Sequence, residues 1–146
     1  MEHDTKPKVA RRSVQRLKDK LRGVFRAARG RRLTDTIATL VPIIRGWTAY
    51  YRLSRVANVF EELDQWLRRK LRAVLWRQWK RNRTRFDELR RRGLTVEHTR
   101  LGIINRRGPW WNAGASHMNA AVPGSALRQL GLMSFVEEHR RLARST

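Results

Sequence analysis

Apolar side chains recur every three or four residues through the first half of this chain, within segments that are otherwise rich in arginine. The pattern runs through residues 13–30, 34–51 and 59–82. Spacing of this kind places the apolar side chains on one face of an α-helix and the charged side chains on the opposite face. The sequence therefore predicts three amphipathic helices that pack together through their apolar faces.

Individual residues indicate where these helices begin, end or bend. Ser13 and Thr34 are residue types that cap helix N-termini, and Gly30 is typical of a C-terminal stop. Pro42 lies inside the second segment and removes one backbone hydrogen bond, so we expect it to kink or divide that helix. Gly46 in the same segment is expected to allow another backbone to approach closely, or to introduce a second bend.

The helical periodicity weakens after the third segment. We expect a short helix over residues 86–92, then turns over residues 94–124 with a short extended piece around residues 102–105. A helical turn over residues 125–130 and a last helix capped by Ser134 follow. The predicted fold class is all-α, a small bundle of three main helices with an irregular, partly helical C-terminal extension.

Most of the positive charge lies in two blocks. The 146 residues include 34 Lys and Arg and 12 Asp and Glu, which gives a formal net charge of +22. Residues 6–32 hold 12 basic side chains and one acidic side chain, and residues 68–92 hold 12 basic and two acidic, whereas residues 33–67 are nearly neutral. Because a surface without a partner usually mixes both signs, this separation favours a polyanionic partner, and nucleic acid in particular.

Several other kinds of site are not expected. The chain has no cysteine and four scattered histidines, so we predict neither a disulfide nor a metal site. Glycine-rich phosphate loops and nucleophile motifs are absent from the sequence, and we expect no cofactor and no catalytic group. No apolar run approaches the roughly 18 residues of a membrane span. These observations favour a cytoplasmic binding module, without a membrane partner, over an enzyme.

Residues 45–52 combine one glycine, three aromatic residues and two arginines. On a helix, Trp47 and Tyr51 lie on the same side, four residues apart, and are predicted to anchor the core. Tyr50 points in another direction. Together with Arg52 it is a candidate for base stacking or phosphate contact.

Trp76 is an aromatic residue among cations, on the side of the third helix away from the apolar stripe, with Arg69, Arg72 and Lys80 around it. Two interpretations are open. Either Trp76 stacks on a nucleic-acid base while the cations hold the backbone, or it is buried beneath the C-terminal segment. Similar alternatives apply to the Gly-Pro-Trp-Trp sequence at residues 108–111, which packs on the helices or offers one tryptophan to a strand.

Four short motifs in a fixed order resemble one known family. They are Ser-x-x-x-Leu-Lys at residues 13–18, Arg-Gly-Trp-x-x-Tyr-Tyr at 45–51 after Pro42, Leu-Asp-x-Trp-Leu-Arg-Arg at 63–69, and Gln-Trp-Lys at 78–80. Together they resemble the group II intron maturase-specific domain, which is the X or thumb region of intron-encoded reverse transcriptases. The resemblance covers about residues 9–82. The later Gly-Pro-Trp-Trp and Leu-Gly-Leu elements are similar to the C-terminal extension of bacterial members.

This resemblance implies a thumb-like helical domain of residues 13–82, between a polar basic lead-in of residues 1–12 and a C-terminal extension of residues 83–146. It implies that the domain binds group II intron RNA, assists its folding and splicing, and clamps the template–primer duplex during reverse transcription. The extension is implied to contact a DNA target or RNA, and the setting to be the bacterial cytoplasm.

Two features depart from the family pattern. Val41 occupies the position before Pro42, where the family often has asparagine. The chain also contains no Tyr-x-Asp-Asp motif of a reverse transcriptase palm, so we expect no polymerase activity from this chain by itself.

The residues predicted to bind RNA lie on the polar faces of the first and third helices and in the aromatic motif: Arg12, Arg16, Arg22, Arg26, Arg45, Tyr50, Arg52, Arg69, Arg72, Trp76, Arg77 and Lys80. The residues predicted to hold the helices together are Trp47, Tyr51, Phe60, Leu63 and Leu67. Two alternatives remain open. One is the thumb of a split reverse transcriptase that acts beside a separate palm chain, and the other is a DNA-binding domain of helix-turn-helix type whose third helix enters a major groove.

Overall fold

A computed structural model of the protein describes residues 11–53 and 57–145, and every regular element within these ranges is an α-helix. The helices are α1 (Arg11–Ala27), α2 (Leu33–Tyr50), α3 (Ala57–Gln78), α4 (Asn82–Arg91), α5 (Val96–Ile103), α6 (Pro109–Gly114), α7 (Ser116–Ala121), α8 (Gly124–Gln129) and α9 (Phe135–Arg144). The predicted all-α fold class is therefore confirmed.

Leucines from the three long helices form most of the core. Helices α1, α2 and α3 all contact one another, and each contributes fully buried leucines. Phe60, Leu63 and Leu67 of α3 lie in this core. Trp47 and Tyr51 are half-buried against it, with ring centroids 4.7 Å apart, and Trp47 packs edge-on against Phe60 at 6.0 Å.

Two of the predicted helix starts are wrong. Helix α1 begins before Ser13, and the Ser13 hydroxyl instead accepts a hydrogen bond of 2.5 Å from the Tyr51 hydroxyl. Helix α2 begins at Leu33, so Thr34 lies in its first turn rather than at the cap. The lead-in predicted over residues 1–12 lies mostly outside the described residues, and its last two residues belong to α1.

Pro42 does not divide α2, which runs without a break from Leu33 to Tyr50. Proline leaves the carbonyl of residue 38 without its helical donor. Ala38 and Pro42 are both exposed, so water can reach that carbonyl. Gly46 is exposed as well, and no described atom outside its own helix backbone lies within 4 Å of the position of a Cβ there. The close approach of another backbone expected at Gly46 is therefore wrong.

The third helix ends at Gln78, four residues before the predicted end, and α4 begins correspondingly early. The Gln78 side-chain amide donates hydrogen bonds to the carbonyls of Ala28 (3.3 Å) and Arg31 (2.9 Å). These bonds tie the end of α3 to the turn that follows α1. Gly93 follows α4 with a φ of 99°, a conformation that favours glycine, and α4 ends within one residue of the end predicted at residue 92.

The turns and the extended piece predicted over residues 94–124 are wrong, because three short helices occupy most of this stretch. The Thr95 hydroxyl accepts a hydrogen bond from the His98 backbone N–H (3.1 Å) at the start of α5, and Pro109 occupies the first turn of α6. Each of these helices buries only two or three residues. That is too few for a helical period to be evident in the sequence.

The C-terminal extension packs on the long helices. Helix α6 lies along α3, and α9 contacts both α2 and α3. Ser134 caps α9 as predicted, by accepting a hydrogen bond from the Glu137 backbone N–H (3.0 Å). The buried Asp64 of α3 accepts two more, from the backbone N–H groups of Phe135 (2.7 Å) and Val136 (3.0 Å). Side chains from both sides of the boundary expected near residue 82 share one core, and the boundary itself stays a prediction.

Candidate nucleic-acid interface

A groove of about 550 Å³ lies between α1 and α3, and we call it the basic groove. Phe25, Ala73 and Val74 give it apolar lining, and Trp110 of α6 contributes a further wall. None of the described residues that line it is acidic, and six are cationic: Arg22, Arg26, Arg29, Lys70, Arg77 and Lys80. The predicted RNA-binding residues Arg22, Arg26, Arg77 and Lys80 are thus brought together from two segments that are distant in sequence.

Helical geometry explains why cations line this groove. On α3, Lys70, Ala73 and Arg77 follow one another at intervals of three and four residues, beside the buried Leu67 and Leu71. On α1, Arg22 and Arg26 lie one turn apart. Because the two helices bury their leucines against a common core, the cations next to those leucines line the crevice between the helices.

Lys70 is the cation of the groove most affected by its neighbours. Partial burial, and then the positive charges of Arg22 and Arg77, lower the pKa of Lys70. Its Nζ atom lies 5.6 Å from the ring centroid of Trp66 and 5.0 Å from that of Trp110. A cluster of like charges of this kind is stabilised by an anion bound among them.

Within the described part of the chain, Arg22 is the cation of the groove that already has a carboxylate partner. Its guanidinium lies 2.7 Å from the Asp19 carboxylate, three residues earlier on α1, and 5.7 Å from the Trp66 ring. Both groups of this ion pair are partly exposed, so the pair contributes little to stability.

A second groove of about 620 Å³ lies on the other flank of α1, against α2. Arg16 and Lys20 supply its cations. Tyr50 is 78% exposed at its edge, with its ring 4.8 Å from that of Tyr51. Two predicted contacts, Arg16 and Tyr50, therefore share a groove that is distinct from the basic groove. Arg12 is exposed on α1 but lines neither of these two grooves.

Arg45 and Arg52, near the end of α2, also lie outside both grooves. The Arg45 Nε is 3.8 Å from the carboxylate of Glu138, which Arg141 holds at 2.5 Å. The hydrogen bonds from Arg141 lower the pKa of Glu138. Arg52 is exposed, and its backbone carbonyl lies 3.0 Å from His139 Nε2. Both arginines stand beside α9, and their contact with RNA stays a prediction.

Arg72 and Trp76 are buried, and this corrects their predicted place on an RNA-binding surface. Trp76 is 2% exposed and Arg72 is 7% exposed. The Arg72 Nε donates a hydrogen bond of 2.7 Å to the carbonyl of Val122, and the Trp76 ring packs on His117 with centroids 5.2 Å apart. Arg85 lies over the same indole at 4.3 Å. The C-terminal segment covers this side of α3, which was the second of the two interpretations open for Trp76.

Arg69 connects α3 to the C-terminal extension. Its Nε donates a hydrogen bond of 2.9 Å to the carbonyl of Trp110, and its Cζ lies 4.0 Å from the centroid of the Trp110 ring. This predicted RNA-binding residue is half-buried. Its guanidinium therefore holds α6 against α3 and is less available to phosphate than the cations of the basic groove.

Two cations that line the basic groove, Arg29 and Lys70, were not predicted from the sequence, and Trp110 was considered only as one of two tryptophans that either pack on the helices or bind a strand. Lys70 carries a signal that the sequence does contain, because it shares one helical face with Arg77. Arg29 follows the end of α1, where helical spacing no longer gives the direction of a side chain. Trp110 lies far from α3 in sequence, and only the packing of α6 brings it to the groove.

Within residues 11–53 and 57–145, no three His, Asp or Glu side chains come together in a way that could hold a metal ion. No helix in these ranges is long and apolar enough to cross a membrane.

Comparison with known families assigns the chain. The sequence pattern of the family described as "Group II intron, maturase-specific domain" matches residues 14–93, which is more than half of the chain. No curated protein sequence matches the chain. The matched region runs from the first turn of α1 to the end of α4, so it includes both long helices of the basic groove. The chain therefore belongs to the group II intron maturase-specific domain family.

Proposed function

We propose that this chain binds structured group II intron RNA through the basic groove and thereby assists the folding and splicing of the intron. Its family has a maturase-related function in group II intron splicing. The observation that carries the finer proposal is the groove itself, where six cations from α1, α3 and the residues that directly follow these helices meet without an acidic lining residue among those described. Phosphate oxygens of an RNA backbone supply the missing counter-charge.

Contacts of this kind position RNA without reading its sequence. Arginine and lysine bind phosphate oxygens, and the shape of a folded RNA decides which phosphates reach them together. The second groove, with Arg16, Lys20 and Tyr50, adds a contact on the opposite flank of α1. The chain is proposed to act as a non-catalytic module in the bacterial cytoplasm, where it holds the intron RNA in its splicing-competent shape.

A salt titration with matched variants tests the proposal. In the groove variant Arg26, Arg77 and Lys80 become Ala. In the control variant, three exposed arginines outside the groove, Arg83, Arg100 and Arg106, become Ala, so both variants lose the same charge. The logarithm of the affinity for intron RNA should fall linearly with the logarithm of salt concentration, and the groove variant should reduce that slope by about three.

The control variant should keep most of the affinity and most of the slope. A slope near zero for the unmodified protein would contradict RNA binding through phosphate contacts. Equal losses in the two variants would instead show that net charge, and not the groove, is responsible.

The helix-turn-helix alternative requires α3 to be free to enter a major groove of DNA. Helix α3 packs against α1, α2, α6 and α9. This burial argues against that geometry. Competition between intron RNA and duplex DNA of equal length tests the choice, because RNA should displace DNA.

A separate reverse transcriptase palm chain is a second candidate partner. It would be supported by copurification with a chain that carries the Tyr-x-Asp-Asp motif, together with primer extension that is restored when the two chains are mixed.

A further inference from the structure

We propose that the basic groove contains a stacking site for one unpaired nucleotide, formed by the Trp110 indole beside Arg69 and Lys70. The inference rests on the proposed function, because it requires an RNA backbone in the groove. It adds a ligand class, RNA with a bulged or single-stranded nucleotide, and it assigns the site to a residue of the C-terminal extension, outside the region that matches the family.

Trp110 is exposed, unlike the two tryptophans at the C-terminal end of α3 and just beyond it. Trp76 and Trp79 are 2% and 6% exposed, whereas Trp110 is 41% exposed and lines the groove. Covering the exposed apolar surface of this indole with a flat partner would be favourable. A nucleic-acid base is a flat partner of matching size, and base–aromatic stacking does not depend on base identity.

The indole is held in place before any ligand binds. The Arg69 guanidinium lies over the ring at 4.0 Å and donates a hydrogen bond to the Trp110 carbonyl. Gly114, one turn further along α6, leaves room for this guanidinium, because a Cβ there would lie 2.7 Å from the Arg69 Cζ. A stacking base therefore meets a ring whose orientation is already fixed, and little ordering is required on binding.

The start of α6, which carries the indole, is fixed independently of Arg69. The buried Asn112 donates hydrogen bonds of 3.0 Å to the carbonyls of Arg107 and Gly108. A third bond of 3.2 Å goes to the Asn105 side-chain oxygen. The position of Trp110 is thus set by buried polar contacts as well as by packing on α3.

Cations that could bind the phosphates next to a stacked base lie beside the indole. Lys70 Nζ is 5.0 Å from the Trp110 ring, and Arg22 and Arg77 are close enough to Lys70 to lower its pKa. Within a continuous duplex the faces of the bases are hidden by their neighbours, so an aromatic side chain can stack only on a base that has left the stack. This combination points to an unpaired nucleotide flanked by backbone, and not to the side of a regular duplex.

Trp111 provides a matched control on the same helix. It is 44% exposed and has Arg107 over its ring at 5.3 Å, but it does not line the basic groove. The two neighbouring tryptophans are therefore alike in exposure and in having an arginine against the ring, and they differ in whether they face the groove.

The test compares two RNA hairpins with the same stem and loop, one of which carries a single bulged 2-aminopurine nucleotide. The unmodified protein should bind the bulged hairpin roughly tenfold more tightly and should quench the 2-aminopurine fluorescence. Trp110→Ala should abolish both the preference and the quenching, Trp110→Phe should retain most of the preference, and Trp111→Ala should change neither. Thermal melting of each variant confirms that it is folded.

The outcomes separate this inference from the proposed function. Equal affinity of the unmodified protein for the two hairpins overturns the stacking site. A Trp110→Ala variant that weakens binding to both hairpins equally also overturns it. So does a Trp111→Ala variant that loses the preference for the bulged hairpin as Trp110→Ala does. If the variant with Arg26, Arg77 and Lys80 changed to Ala still binds the plain hairpin normally, the basic groove itself is wrong. If that variant loses both hairpins while Trp110→Ala still prefers the bulged hairpin, only the stacking site fails.

Discussion

The two sides of helix α3 resemble each other in sequence and differ in their surroundings. Lys70 and Arg77 lie on the side that faces the basic groove, whereas Arg72 and Trp76 lie on the side covered by the C-terminal extension. Arg72 and Arg77 are only five residues apart, yet one is buried and the other exposed. A cation on an amphipathic helix is therefore a ligand for phosphate only where no later segment of the chain packs on it.

The buried side shows how this protein accommodates a guanidinium in its interior. A buried polar group is tolerated when it is hydrogen-bonded, and Arg72 meets this condition through the carbonyl of Val122. Burial, and then the charge of Arg68, lower the pKa of Arg72. The cations of the basic groove have no such internal acceptor among the described contacts, apart from Arg22 with Asp19. The two sides thus predict different consequences for the same kind of substitution.

The largest expected effect is on the covered side. Trp76→Ala should lower the free energy of unfolding by about 3–5 kcal/mol, because it leaves a cavity beneath His117 and Arg85. Urea denaturation followed by far-ultraviolet circular dichroism measures this loss. The more conservative Trp76→Phe should remain folded and bind intron RNA as the unmodified protein does. A Phe variant that is fully folded but has lost RNA binding would contradict the burial of this residue.

Arg72 and Arg77 give the sharpest form of the comparison. The same substitution should lower stability on the covered side and weaken RNA binding on the side of the groove. Arg72→Met leaves the Val122 carbonyl without its donor and should lower the free energy of unfolding by about 1–3 kcal/mol, with RNA affinity unchanged. Arg77→Met should change stability by less than about 0.5 kcal/mol and reduce the salt slope of RNA binding by about one. Denaturation curves and salt titrations of both variants are the measurements. If Arg72→Met reduced the salt slope as Arg77→Met does, the distinction between the two sides would be lost.

A smaller effect is expected from pH, and it should again belong to the covered side. Burial, and then the nearby His98, lower the pKa of His117, whose Nε2 lies 3.0 Å from the Asn112 side-chain oxygen. The unfolded chain binds a proton at His117 near pH ~6.5 and the folded chain resists it, so the free energy of unfolding should fall as the pH drops below that value. The loss between pH 7.5 and 5.5 should be at most about 1.4 kcal/mol.

Urea denaturation at several pH values measures this dependence. In His117→Gln, which keeps a side-chain donor but does not titrate, stability should be nearly independent of pH over the same range. An equally steep dependence in that variant would assign the effect to another group.

The long helices were predictable because their apolar stripes extend over several turns. Leu63, Leu67 and Leu71 repeat at four-residue intervals, and such a run has few alternatives to an amphipathic helix. The helices α5, α6 and α7 were not predictable, because each turns only a few residues toward the core and gains its stability from packing on α3 and α4. The prediction that Thr34 caps α2 was wrong for a related reason. Threonine has only a preference for the N-cap position, and tertiary packing can override that preference.

The same division applies to the candidate site. The cations Arg22, Arg26 and Arg77 could be named from helical spacing alone, and Lys70 lies on the same predictable face. Trp76 could not be assigned to surface or interior, because its surroundings depend on residues about forty positions later in the chain. Trp110 could not be placed at the groove at all, because the contact with Arg69 that brings it there joins segments distant in sequence.

The sequence by itself determined the helical fold class, the family motifs and the excess of positive charge, because each of these depends on residue types and on spacing over short stretches of the chain. Tertiary structure alone decided which cations meet in one groove and which are buried, since that depends on where the C-terminal helices pack. A short helix such as α6 contributes little local preference of its own. The position of α6 is set by the hydrogen bond from Arg69 to the Trp110 carbonyl and by packing on α3. That packing makes the two sides of α3 different.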